Sequence, residues 1–184
     1  MNIKVLIDDH IVFEKNIEEP KPPVVTGKAK DIFDGFDANR GVLEYNGIVA
    51  EIQKWYYDSS TVVKGPWCAS SMSYFANKAG LLPAIGGKND NVYNMMQSCK
   101  LAAKEGYGTF YTKDELPKRI PQYAICFFLW SGSAMTEGSS KHVCMSEYAS
   151  SGANIYCIGG NQSDKICTKS YERSKLYGLY VLNS

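Results

Sequence analysis

Apolar and polar positions along this chain change rhythm once, near Pro121, and that change organises everything else. From Ile3 to Phe13 the residues alternate and are β-rich, with Asp8-Asp9 as a turn, which predicts a strand pair or one bent strand. Glu18-Glu-Pro-Lys-Pro-Pro-Val-Val25 then reads as an extended linker, because proline fixes φ and removes a backbone donor. Residues 1–28 are thus expected to be an extension, a tether or an added edge strand, and residues 29–184 the main domain.

Between Gly41 and Asp58 the apolar residues Val42, Tyr45, Val49, Ile52 and Tyr56 recur at helical spacing. A second helix is expected from Pro66, suited to a first helical position, to Gly80, suited to the position just past the end. Its inward residues would be Cys68, Met72, Phe75 and Ala79. A weaker helical pattern runs from Asp90 to Lys104. After Pro121 come short β-branched and aromatic runs: Tyr123–Trp130, His142–Tyr148, Ile155–Ile158, Lys165–Tyr171 and Tyr177–Leu182. Gly/Ser-rich stretches such as Ser131–Ser140 separate them. Helices first and an antiparallel sheet afterwards predict an α+β domain.

Composition narrows the picture. Of 184 residues 45% are apolar, enough for one core, and thirteen tyrosines suit either core edges or the wall of a polar groove. A net charge of +1 with no basic stripe gives no footprint for nucleic acid. No apolar run is long enough to span a bilayer, and Met1–Ile11 lacks the marks of a signal peptide. The cysteines at 68, 99, 126, 144, 157 and 167 have no Cys-x-x-Cys pair, so neither zinc-ribbon nor redox spacing is present. Cys126, Cys144 and Cys157 lie in apolar runs, where a reduced thiol serves as a small hydrophobe.

Cys68 differs from these. It falls in the first turn of an expected helix, where the positive end of the helix favours thiolate and unpaired N–H groups can hold an oxyanion. The chain has two histidines. His10 lies beside two aspartates in the extension, whereas His142 opens a strand after a flexible loop. A helix-borne cysteine followed by a strand-borne histidine suits a nucleophile and its general base. A third group must orient the imidazole, and Asn161, at the end of the next strand, has the right chemistry. Gly159-Gly-Asn-Gln-Ser-Asp164 is also plain turn chemistry.

These residues resemble a known family. Gly65-Pro-Trp-Cys-Ala-Ser-Ser-Met-Ser-Tyr-Phe-Ala-Asn-Lys-Ala-Gly80 is similar to the nucleophile helix of CHAP-type amidase/peptidases, relatives of NlpC-type peptidases, and to their phage and prophage branch in particular. Lys141-His-Val143 resembles the Gly-His-Val histidine strand, and Ile158-Gly-Gly-Asn-Gln-Ser-Asp164 resembles that branch's Gly-Gly-Asn-Gln-Ser-Asp signature. Asn39-Arg-Gly-Val-Leu-Glu-Tyr45 resembles the motif that precedes the nucleophile. The resemblance spans residues 38–181. It implies a papain-like fold with helices packed on a central antiparallel sheet, and a cofactor-free peptidoglycan hydrolase. In that role Cys68 is nucleophile, His142 base and Asn161 the orienting group, with Trp67, Lys141 and Gln162 as candidate substrate contacts. The chain departs from the family where Ile120-Pro-Gln-Tyr123 replaces a Pro-Gly-Asp turn, where Lys141 replaces glycine, and where Gly159 replaces the glutamate that some members carry.

The implied partner is bacterial cell-wall peptidoglycan. The implied settings are a phage lysin released through a holin, or an exported antibacterial effector, made in the cytoplasm and acting on the wall or periplasm. The extension is then a docking element for a secretion, holin or immunity component. Rival readings are a cysteine protease or deamidase effector acting on protein, a catalytically idle binding module of the same fold, and a zinc site.

Overall fold

The structure, a computed structural model, describes residues 28–183 and the backbone of two strands before them, β1 (Asn2–Ile7) and β2 (His10–Asn16). Those two pair antiparallel with Asn2 opposite Asn16 and a register shift between Val5 and Leu6, so the alternating segment is a strand pair. The expected turn at Asp8-Asp9 and the expected proline-rich linker lie outside the described residues.

Four helices follow: α1 (Ala29–Asp37), α2 (Gly47–Tyr57), α3 (Cys68–Lys78) and α4 (Val92–Lys104). In α1 the Asp31 carboxylate accepts from the Lys28 N–H at 2.6 Å, meeting one orphan donor of the first turn, and Ile32 and Phe36 are buried. The helix expected from Gly41 begins only at Gly47. Tyr45 has φ 62°, and Leu43 bridges antiparallel to Lys165, so Val42 and Tyr45 belong to a loop despite their helical spacing. α3 likewise starts two residues after Pro66 and makes Cys68 its first residue. It closes with paired bonds from Gly80 N to Asn77 O (3.0 Å) and Leu81 N to Ala76 O (2.7 Å), a Schellman end. In α4 the Asn91 side chain caps the first turn by accepting from Tyr93 N at 2.8 Å.

The sheet has six strands: β3 (Gly108–Thr112), β4 (Ile125–Leu129), β5 (Lys141–Ser146), β6 (Asn154–Gly159), β7 (Cys167–Glu172) and β8 (Leu176–Leu182). Their order is β3-β8-β4-β5-β6-β7 and every pairing is antiparallel. β3, which the sequence did not announce, is an edge strand paired only with β8. The α+β expectation holds.

Both sheet faces are packed, which is why β4 reads as an unbroken apolar run and is buried at every position. Ile125, Phe127, Val143, Met145 and Ile158 meet the helices. Cys126, Phe128, Cys144, Ile155 and Cys157 form a second cluster, joined by Trp130 and Tyr171. The six cysteines are unpaired thiols, buried except for the half-buried Cys167. Among the described residues no helix is long and apolar enough to cross a membrane.

Candidate active site

Three segments hold the start of α3 in place. The Trp67 ring is fully buried and its Nε1 donates to Glu44 Oε1 at 3.1 Å. It lies so close over Gly160 that a Cβ there would come within 2.5 Å of the ring, and within 2.4 Å of Ser71 Oγ. From α2, the buried Gln53 donates through Nε2 to Gly65 O at 3.4 Å. The glutamate of the Asn39–Tyr45 motif and the Gly-Gly of the Asn161 motif thus meet at the residue before the nucleophile.

Cys68 is buried, with 5% of its surface exposed, on the wall of a cleft of about 530 Å³. Tyr57, Asp90, Glu137, Lys141 and Asn161 line the same cleft. Burial pushes the Cys68 thiol up, while N–H groups of Val143, Ala69 and Cys68 itself, together with the Lys141 charge, favour the thiolate. Burial wins. The thiol therefore sits above its ordinary value, contrary to the lowering expected from a helix N-terminus alone.

His142 lies elsewhere than expected. It pairs with Phe128 across β4–β5, and strand alternation puts its side chain with Cys144 on the face away from the helices. Its ring centroid is 5.7 Å from that of Tyr171. Nε2 is buried without a hydrogen-bond partner, and among the described residues no hydrogen bond joins either ring nitrogen to Cys68. The β5 group that favours the Cys68 thiolate is the backbone N–H of its neighbour, Val143. Burial, and then the positive charge of Lys169, lower the imidazole to about 4 and hold it neutral.

The other candidates separate clearly. Asn161 has φ 58°, a conformation asparagine tolerates, and lines the cleft with Cys68, but no hydrogen bond joins it to His142. Lys141 also lines the cleft, its Nζ donating to Ser139 O at 3.1 Å and to Glu137 O. Trp67 lines no part of it, being buried. Gln162 is buried on the far face, where its Oε1 accepts from Tyr171 Oη at 2.8 Å.

The replaced Pro-Gly-Asp turn is held by other means. Ser146 Oγ donates to Pro121 O at 2.6 Å and accepts from Ala124 N at 2.8 Å, while Gln122 Nε2 donates to Glu147 O at 3.0 Å. Tyr57, Asp90 and Glu137 carried no sequence signal, because nothing local ties them to Cys68. Among the described residues no group of three or more His, Cys, Asp or Glu is placed to hold a metal ion. Set against models of known families, curated proteins and solved structures, the chain matches none of them.

Proposed function

We propose that this chain is a papain-like, CHAP-type cysteine hydrolase that cuts amide bonds in the peptide stems of bacterial peptidoglycan. The observation that carries the proposal is the setting of Cys68: first residue of a buried helix, on the wall of a cleft, where backbone N–H groups of Val143, Ala69 and Cys68 itself favour its thiolate. The resemblance of the segments around Cys68, His142 and Asn161 to that family supplies the substrate class.

In the proposed reaction the β5 backbone at His142–Val143 shifts to bring the His142 imidazole out of its buried setting, which restores the basicity that burial removes, and the ring takes the thiol proton. Such contacts commonly tighten only once substrate binds. The sulfur attacks the amide carbon, the C=O pair moves onto oxygen, and the N–H groups beside Cys68 hold the oxyanion. Collapse breaks the C–N bond, the leaving amine takes the proton from His142, and water releases the acyl group from sulfur. Asn161, on the cleft wall, orients the ring without adding charge. The setting proposed is a phage lysin or an exported effector, acting on the wall after release or export.

A second reading, a binding module that has lost catalysis, is favoured by one observation: the His142 ring packs by Tyr171 and makes no hydrogen bond to the thiol. Purified peptidoglycan from Gram-negative and Gram-positive sources separates the two. Wild type should release soluble fragments whose ends, by mass spectrometry, identify the bond cut, and Cys68→Ala should release none. Sedimentation with peptidoglycan but no fragments would establish binding without catalysis. Neither binding nor release would remove the wall as substrate and leave a protein target.

A further inference from the structure

We propose that the Lys141 ammonium is the standing counter-charge of the Cys68 thiolate and of the oxyanion it generates, in place before His142 has taken up any proton. The oxyanion part rests on the hydrolase reading; the pairing with thiolate does not. Among the described residues lining the cleft Lys141 is the one cation. Strand alternation places its side chain on the helix side of β5 with Val143, whose N–H favours the thiolate. Its ammonium is anchored by the carbonyls of Ser139 and Glu137, which are neutral acceptors. Among the described residues no carboxylate pairs with it, so two of its three donors are used while its full charge remains.

The other groups around the thiol cannot take this part. His142 on β5 is turned to Tyr171 of β7 and faces Lys169, which opposes a second positive charge there. Cys144 on β5 is a buried thiol. Asp90, before α4, and Glu137, before β5, are negative, and Tyr57 of α2 donates to Asp90 at 3.4 Å. The N–H groups of Cys68, Ala69 and Val143 supply dipoles but no charge. A lysine where the family the chain resembles carries glycine is therefore a working substitution: it supplies a cation while the resting imidazole is neutral. In the reaction it transfers no proton; its remaining N–H donates a hydrogen bond to the developing O⁻.

The test is the pH profile of Cys68 alkylation by iodoacetamide in the full chain, read peptide by peptide by mass spectrometry. Lys141→Gln keeps amide donors for the two carbonyls and removes the charge; Lys141→Met removes both; Lys141→Arg keeps the charge. The account expects the Cys68 midpoint to rise by about one pH unit in the Gln and Met variants, a tenfold slower reaction below the midpoint, and to stay near wild type with Arg. Cys167, half-buried elsewhere, should be unchanged in all three variants. An unshifted Cys68 profile in the Gln variant overturns the proposal, including the case where Met alone shifts, since that identifies anchoring rather than charge. A shifted profile in protein that leaves peptidoglycan intact supports the Lys141–thiolate pairing and refutes the wall reading.

Discussion

At the scale of single residues the site is a contest between burial and a few fixed dipoles and charges. Cys68 is held as thiol because its desolvation outweighs the three N–H groups that would welcome the anion. His142 is held neutral by the same force, and this has a consequence for stability. Its folded value of about 4 lies below the ordinary 6.5, so the native state resists a proton that the unfolded chain accepts. That contribution is complete above about pH 6.5 and is lost as the pH falls from there towards 4. Urea unfolding at pH 7.5 and 4.5 should show wild type losing roughly 2–3 kcal/mol more on acidification than His142→Gln. Equal losses would mean that the ring is solvated or paired. The helical start at Cys68 and the strand at His142 were legible from their neighbours in sequence, but the side of the strand on which His142 falls was not. A shift of one residue in strand register reverses every side chain, and no local pattern separates the two settings when both faces are apolar.

Among elements, the decisive contact is between the start of α3 and the end of β6. Trp67 and Ser71 close on Gly160 with no room for a methyl group. Gly160→Ala should therefore cost about 1–3 kcal/mol in urea unfolding and displace the first turn of α3, lowering the alkylation rate contrast between Cys68 and Cys167. A variant as stable as wild type would show that the two elements can separate without penalty. This contact explains why Gly160 sits in the Asn161 motif: it serves helix packing as well as turn geometry. The elements recovered from sequence were those with strong local marks, such as the Gly80 end of α3 and the β-branched and aromatic runs of β4 to β8. Those missed had weak ones. α1 carries four charged residues and a glycine in nine positions, and Gly35 is needed because Phe75 would lie 2.5 Å from its Cβ. β3 draws its order from β8, more than sixty residues away, a pairing that no window of sequence contains. The loop at 41–46 has helical spacing but is captured by Lys165 and Ile166, with Gly41 N donating to Ile166 O at 2.7 Å.

For the whole molecule, the single change of rhythm at Pro121 was enough to yield the α+β class, because helical and alternating periods cannot share one segment. The sheet's two packed faces were less evident, yet they matter most for the site. The helix face brings Cys68, Lys141 and Asn161 to one cleft, while the far face takes His142 and Gln162 into a cluster with Tyr171. The proposed catalysis would need the two faces to communicate through the β5 backbone at His142–Val143. The central claim, that Cys68 forms a covalent acyl intermediate, is tested most directly by acid-quenching the protein seconds after mixing with soluble stem-peptide fragments and mapping adducts by mass spectrometry. The account predicts an acyl mass on the Cys68 peptide of wild type, its absence in Cys68→Ala, and no adduct on the other cysteines. Turnover of those fragments with Cys68 unmodified at every quench time, or undiminished in Cys68→Ala, would contradict it.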